Sequence, residues 1–95
     1  MYAVSFDLDT ESLRTHYGDS FPNAYTEIRK FLYGCGFEWQ QGSVYFGKPE
    51  TVNAVSCIMA IQKMSKQLTW FSSCVRDIRM LRIEENNDLM PALLG

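Results

Sequence analysis

The sequence has few cysteines, a single histidine and no long apolar run. Its three cysteines, Cys35, Cys57 and Cys74, are widely spaced without a CxxC pair, and His16 is the only imidazole. Neither a disulfide framework nor a zinc site is indicated. No apolar run approaches the roughly 18 residues of a membrane span. The first eight residues lack the basic segment of a signal peptide. We therefore expect a soluble cytoplasmic protein with reduced thiols.

Length and composition indicate one small folded domain over residues 1–95. Domains typically have about 50 to 200 residues, so a second core does not fit. A hydrophobic share of 46% and a charged share of 21% differ from the pattern of disordered chains. The net charge of −2 argues against a general nucleic-acid coat protein. Basic side chains are nevertheless concentrated in residues 51–83, which contain five basic residues and one acidic residue.

The first third of the chain predicts a strand, a connection and a helix. Residues 2–9 alternate between apolar and small or polar side chains, which is typical of a β-strand. Residues 10–22 show no sustained periodicity, so we expect an unusually long connection. Residues 23–34 carry apolar side chains at helical spacing and end beside glycines, which predicts a first helix.

The middle of the chain predicts a hairpin and a second helix. Two aromatic segments, 37–40 and 43–47, lie on either side of Gln41-Gly42, where glycine can adopt the positive φ of a tight turn. The second helix is predicted to open at residues 49–51, with Thr51 as its N-cap, and to end near residue 67. Its core-facing stripe is expected to comprise Ala54, Val55, Ile58, Met59, Ile61, Ser65 and Leu68.

The order of the predicted elements defines a fold class. Residues 75–83 predict a last strand, and residues 86–94 predict one short helical turn capped by Asp88. The order β-α-β-β-α-β is that of an α+β, ferredoxin-like fold, with a four-stranded sheet, two helices on one face and a short C-terminal extension. We expect the first and third strands to run parallel in the middle of the sheet, with the fourth antiparallel beside the first. The second sheet face stays open.

Two carboxylates are predicted to lie on this open face. The apolar side of the first strand should pack under the helices, which turns Asp7 and Asp9 outward. Carboxylates there could bind Mg²⁺ or move protons in phosphodiester chemistry. Antiparallel pairing places Asp7 near Arg76, which can hold a phosphate, with Arg79 as a second candidate. In the alternative interpretation Asp9 is a cap and Asp7 forms an ion pair. His16 is either a general acid or base or simply solvated.

The hairpin offers groups that suit unpaired bases. Trp39, Gln41 and Tyr45 supply ring faces and an amide for stacking and edge recognition. The alternative is ordinary hairpin packing. With parallel central strands, Ser43 lies at the beginning of its strand while Asp7 lies at the end of the first, so the two are expected on the order of 10 Å apart at about 3.3 Å per residue.

Three blocks of sequence resemble one known family: YAVSFDLDT, GFEWQQGSVYFG and VRDIRMLRIEENNDLMPAL. In order and spacing they resemble the virulence-associated protein D (VapD) family over nearly the whole chain. The resemblance implies a ferredoxin-like fold and endoribonuclease activity, in several cases as the toxin of a toxin-antitoxin pair. The family is similar to small CRISPR-adaptation nucleases, which dimerise and carry an aspartate at the end of the first strand, here Asp7. It also draws attention to Ser43.

These observations lead to one main hypothesis and two alternatives. The main hypothesis is a homodimeric ribonuclease for single-stranded or loop RNA, with Asp7 at a shared cleft and a small antitoxin protein as a further partner. One histidine cannot form the paired acid and base of many ribonucleases, which favours Mg²⁺ as cofactor. Trp39 and Tyr45, if exposed on the open face, would favour a dimer. The main alternative is a non-catalytic dimeric protein-binding or regulatory module of the same fold. A nucleotide-binding regulator is third, because no GxxxxGK[ST] loop is present.

Overall fold

The chain forms a four-stranded sheet with helices on one face. The computed structural model describes residues 1–94. The elements in chain order are β1 (Tyr2–Leu8), α1 (Thr10–His16), α2 (Pro22–Gly34), β2 (Phe37–Gln41), β3 (Val44–Gly47), α3 (Ala54–Gln67), α4 (Phe71–Cys74), β4 (Val75–Arg82) and a terminal 3₁₀ turn (Met90–Leu94). This is the α+β, ferredoxin-like architecture that the order of elements predicted.

The sheet has the strand order β2-β3-β1-β4, with β1 and β3 in the middle and β4 beside β1. Every neighbouring pair is antiparallel, including β1 and β3. The prediction that β1 and β3 run parallel is therefore wrong. The crossover through α2 returns β2 in the direction of β1, and the tight turn after β2 reverses β3, so β3 must oppose β1.

The core lies between the sheet and the helices. On β1 the side chains of Val4, Phe6 and Leu8 are buried against it, while Asp7 between them is exposed. This is the period-two alternation that the sequence predicted. The helices contribute the opposite wall of this core, and their larger buried side chains are Leu13, Ile28, Leu32, Met64 and Phe71.

The segment expected to be a long connection contains a helix. In α1 the single buried residue is Leu13, so the segment lacks the repeated apolar spacing that identifies a longer amphipathic helix. Its start is marked instead by the Asp9 side chain, which accepts a hydrogen bond from the Ser12 N–H at 3.3 Å. A cap followed by one buried leucine is too weak a pattern to predict a helix of two turns.

The second predicted helix is present but begins later and faces a different way. Asn53, not Thr51, is its N-cap, and Asn53 and Ser56 form a capping box. The residues that α3 buries are Cys57, Ala60 and Met64. The predicted core stripe is thus wrong at Val55, Ile58 and Met59, whose side chains are exposed. The helix is apolar on two faces, so periodicity alone could not identify the buried one.

The C-terminal extension forms the predicted short turn. The Met90 N–H donates a hydrogen bond to Asp88 Oδ1 at 2.9 Å, which confirms Asp88 as its cap. Among residues 1–94, no helix combines the length and the apolar character that a membrane crossing requires.

Candidate active site

Asp7 and Asp77 lie directly opposite each other where β1 pairs with β4. Opposed residues of an antiparallel pair point to the same face, with Cβ atoms about 4.5–5.5 Å apart. Because the neighbours of Asp7 along β1 are buried under the helices, this face is the open one. Both residues are exposed. The pair is therefore a two-carboxylate group that a large ligand can reach.

A β-bulge adds Arg76 to this group. Leu8 pairs with Val75 while Asp7 pairs with Asp77, so β4 contains one extra residue at this point. Bulges of this kind redirect side chains and are frequent beside active sites. Arg76 Nε lies 3.9 Å from Asp7 Oδ2, and both side chains are about two-thirds exposed. The predicted proximity of Arg76 and Asp7 is confirmed.

Arg79 binds the second carboxylate more closely. Its Nε donates to both Asp77 oxygens at 3.1 Å. This hydrogen bond and the charge of Asp77 raise the pKa of Arg79 above its ordinary value. The site thus contains one close ion pair and one looser pair. The longer separation from Asp7 leaves the N–H groups of Arg76 available to an anion.

Ser43 lies at the same end of the sheet as Asp7. The Phe6 N–H donates to the Ser43 carbonyl at 3.2 Å, and Phe6 immediately precedes Asp7. The parallel arrangement from which a separation on the order of 10 Å was expected is wrong. Within residues 1–94, however, no hydrogen bond joins the Ser43 hydroxyl to Asp7. The two residues are neighbours without forming a linked pair.

Asp9 is held by the start of α1. Its Oδ2 accepts from the Ser12 hydroxyl at 2.6 Å as well as from the Ser12 N–H. The hydroxyl hydrogen bond is the main cause that lowers the pKa of Asp9 below its ordinary value. The Asp9 N–H also donates to the Cys74 carbonyl at 2.8 Å. The capping role proposed for Asp9 as the structural alternative is confirmed.

The two hairpin aromatics lie on the helix side of the sheet. Tyr45 is 3% exposed and stacks on Phe6, with ring centroids 5.8 Å apart. Burial raises the pKa of Tyr45. Trp39 faces the same way and is covered by the Arg29 guanidinium, 4.0 Å from its ring centroid, while its indole N–H donates to the Gly42 carbonyl at 2.8 Å. The condition under which these rings would favour a dimer, exposure on the open face, is therefore not met, and Tyr45 follows the alternative of ordinary hairpin packing.

Gln41 does belong to the open face. It pairs with Val44, Val44 pairs with Ser5, and Ser5 pairs with Arg79. These four residues form one row across all four strands, adjacent to the row that contains Asp7. Gln41 is exposed at the β2 end of this row. An extended ligand that contacts Asp7 can therefore also reach the Gln41 amide.

The remaining candidates contribute no further charge to this site. His16 is exposed in the last turn of α1. Across the described chain, no three His, Cys, Asp or Glu side chains converge in a way that could hold a metal ion. Oxygens of Asp7 and Asp77 are suitable ligands for Mg²⁺, which proteins commonly bind through one or two carboxylates together with substrate phosphates. The donor set fits Mg²⁺ only with such added ligands.

Comparison with known proteins identifies the protein family. A family model described as "CRISPR associated protein Cas2" matches residues 1–90. "Endoribonuclease VapD 2" of Riemerella anatipestifer is 52% identical over 98% of this chain and 99% of its own length. "Endoribonuclease VapD homolog" of Helicobacter pylori is 56% identical, over 98% and 96%. "Endoribonuclease VapD" of Dichelobacter nodosus is 43% identical, over 100% and 99%. The chain belongs to the VapD family, as its three sequence blocks predicted.

One component of this site was not selected from the sequence. Antiparallel pairing predicts Asp77, together with Arg76, near Asp7, but the sequence does not select Asp77 as a site residue, because the exact register of β4 against β1 cannot be read from an irregular pattern. The break of the apolar alternation at Met80-Leu81 does not mark the bulge, because β4 pairs regularly with β1 there and the register shifts at Arg76.

Proposed function

We propose that this protein is an endoribonuclease that cleaves single-stranded or loop RNA, with Asp7 as its catalytic residue. The observation that carries the proposal is the opposition of Asp7 and Asp77 on an open sheet face, flanked by Arg76 and Arg79. Relatives that match over nearly their full length and are named endoribonucleases support the same activity.

The four charged groups have separate roles in cleavage. Arg76, held loosely at 3.9 Å, binds the phosphate at the cut, and Arg79 orients Asp77. Guanidinium groups suit this role because they bind phosphate oxygens through paired N–H donors. Asp7 accepts the proton of the attacking oxygen as general base. The leaving oxygen faces the open side of the sheet, where it can take a proton from solvent.

Mg²⁺ is the cofactor that the donor set suits. Asp7 and Asp77 would hold it together with phosphate oxygens of the RNA. When bound, it supplies positive charge beside the phosphate and lowers the pKa of coordinated water. The single histidine, His16, lies at the end of α1 rather than in the row of Asp7, so it is not paired with Asp7 as an acid or base.

RNA contacts extend along the open face. Gln41 reads a base edge from the β2 end of its row, and Ser43, in the turn beside Phe6, contacts RNA backbone that passes the end of the sheet. Asp9 acts indirectly, since its cap fixes α1 directly after β1. Trp39 is 43% exposed at the sheet rim, where its outer edge can contact RNA that leaves the face.

The active form is a homodimer with Asp7 of each subunit at a shared cleft. Exposed apolar side chains support this assembly. Leu81 projects on the open face opposite Ala3 and is 46% exposed. The terminal turn adds further exposed apolar residues, Leu89, Met90, Leu93 and Leu94. A second copy would remove this surface from water.

The cellular role we propose is that of the toxin in a bacterial toxin-antitoxin pair, restrained by a small antitoxin protein. Its support is the VapD family membership of the chain. Growth arrest on expression of the wild-type protein, absent with Asp7→Asn, would support this role. Equal growth with both proteins would contradict it.

The experiment that tests the activity compares wild type with Asp7→Asn on a labelled single-stranded RNA. We expect Asp7→Asn to lower the cleavage rate at least about 100-fold, the lower end of general-base contributions. Asp19→Asn, which makes the same change at an exposed position before α2, is the matched control and should cleave normally. Equal breakdown by wild type and Asp7→Asn would favour the non-catalytic dimeric module, in which the Asp7–Arg76 pair is structural.

A further inference from the structure

The outward face of α3 carries apolar side chains that the fold does not cover. Val55, Ile58 and Met59 are 65%, 50% and 61% exposed. Their spacing of three and four residues puts them together on one side of the helix. Single exposed apolar residues are common, but three adjacent ones in the first half of one helix form a patch.

Grooves run along both flanks of this patch. Between α3 and β4, a groove of about 200 Å³ is lined mainly by Ile58, Ile61, Ile78 and Met80. On the side of the C-terminal end of α2, a second groove of about 390 Å³ is lined by α3 residues, among them Met59, and by Cys35. The apolar ridge of α3 therefore has a depression on each side that can receive side chains of a partner.

The second half of the same face is basic. Lys63 and Lys66 lie one and two turns after Met59 and line the groove on the α2 side. Helix α3 contains no acidic residue. Within residues 1–94, neither lysine forms an ion pair. The α3 surface, defined as Val55, Ile58, Met59, Lys63 and Lys66, is thus apolar at one end and positive at the other.

We propose that the α3 surface binds an acidic amphipathic helix of another protein. Such a helix would place apolar side chains at positions i, i+4 and i+7 over Val55 and Met59 and into the flanking grooves. Its acidic residues would lie beside Lys63 and Lys66. The charge pattern determines the class of partner, because apolar contact alone would accept any hydrophobic segment.

Charge also argues against the other occupants. Two copies paired through α3 would put the lysines of one copy either against those of the other, if parallel, or against its apolar end, if antiparallel, and in neither arrangement would they meet an acidic residue of α3. RNA would leave the ridge of Val55, Ile58 and Met59 unused, since this surface has no aromatic ring on which a base could stack. The α3 surface is on the helix layer, opposite the sheet face of Asp7. A partner can therefore bind here while RNA occupies the proposed cleft.

The probe for this proposal is a synthetic amphipathic peptide of about 18 residues, long enough to form a helix. It carries leucine on one face and glutamate on the other, and a matched peptide carries lysine in place of glutamate. We expect fluorescence anisotropy to show saturable binding of the acidic peptide to wild type and none of the basic peptide. Met59→Glu should weaken binding at least about tenfold.

A charge reversal separates complementarity from simple loss of binding. The double variant Lys63→Glu, Lys66→Glu should lose affinity for the acidic peptide by about tenfold, as expected for two exposed pairs, and gain affinity for the basic one. The variant should cleave RNA at the wild-type rate, which keeps this proposal distinct from the proposed nuclease activity. Equal binding of both peptides, displacement of the acidic peptide by RNA, or binding to anionic vesicles through the same lysines would overturn the proposal.

Discussion

The carboxylates of Asp7 and Asp77 face each other across the β1–β4 pair, and each has its own arginine. Like charges placed directly opposite on a sheet are unfavourable, so the two arginines offset a repulsion that is built into the register. We therefore expect Asp77→Asn to slow RNA cleavage about tenfold or more while the RNA affinity changes little. Single-turnover cleavage and gel-shift titration measure the two effects separately. An unchanged cleavage rate in Asp77→Asn would show that Asp7 works without its opposite residue.

Arg76 and Asp7 should give different phenotypes. Arg76→Ala is expected to weaken RNA binding and to flatten its dependence on salt, because one phosphate contact fewer releases fewer counterions. Asp7→Asn should leave binding largely intact and remove cleavage. Binding titrations at several salt concentrations, with cleavage assays alongside, test this contrast. If both variants lose the same RNA affinity while remaining folded, Asp7 only supports the arginine.

Chelation of divalent metal should stop cleavage. Exhaustive EDTA treatment is expected to abolish the activity, and added Mg²⁺ should restore it, because the carboxylates need a cation to act beside a phosphate. RNA cleavage that continues undiminished after EDTA would show that the reaction is metal-free. Asp7 would then act through proton transfer alone.

Two adjacent residues of β4 test the dimer. Leu81 projects on the open face and Met80 on the helix face, and they are 46% and 42% exposed. Leu81→Glu should yield a monomer near 11.0 kDa in light scattering, whereas Met80→Glu should retain the dimer of wild type. Thermal melts confirm that both variants are folded. A wild-type protein that is monomeric at micromolar concentration would rule out the shared cleft.

The cap of α1 predicts a dependence of stability on pH. The pKa of Asp9 is lowered in the folded state, so this group stabilises the fold above its unfolded pKa, near 3.8. The contribution is lost as pH falls from there through the lower folded value. Asn caps helices about as well as Asp without titrating. Asp9→Asn should therefore show a smaller loss of stability than wild type in urea titrations between pH 5 and about 2.5. If the stability of wild type and of Asp9→Asn changes equally with pH, Asp9 contributes nothing to the pH dependence of folding.

Gly47 is required by the approach of Val52. A Cβ added at Gly47 would lie 2.6 Å from Val52 Cγ1, well inside van der Waals contact. We expect Gly47→Ala to lower the free energy of unfolding by about 1–3 kcal/mol, the usual cost of overpacking. Gly34→Ala is the control, since nothing lies within 4 Å of its added Cβ. Adding Val52→Ala to Gly47→Ala should recover part of the lost unfolding free energy. A double-mutant cycle of the two substitutions that shows no coupling energy would refute the clash.

The sequence predicted the order of elements better than their relative directions. Alternation along β1 correctly identified the buried and open sides, which placed Asp7. The direction of β3 was predicted wrongly, although the hairpin at Gly42 already required the reversal. Orientation matters here, because it moves Ser43 to the end of the sheet where Asp7 lies. The direction of a strand follows from the connections that join it to its neighbours, not from the periodicity of its own residues.

Amphipathic patterns failed where a segment is apolar on two sides or too short. In α3 the small buried side chains of Cys57 and Ala60 give a weaker signal than the exposed Ile58 and Met59. A hydrophobicity scale gives large apolar side chains the highest values. Where a helix packs closely on a sheet, however, small side chains such as Cys57 and Ala60 fit the contact. The sequence leaves the position of Tyr45 open for a related reason, since an aromatic ring with a hydroxyl suits both a core and a surface.

The bulge that brings Arg76 to Asp7 also affects the free edge of the sheet. Strand β4 is an edge strand of eight residues, and such strands can recruit strands of other molecules into aggregates. An irregular ladder and arginines spaced along the edge both discourage this growth. Replacing Arg76 or screening it with concentrated salt should therefore shorten the shelf life of purified protein, quite apart from any effect on RNA.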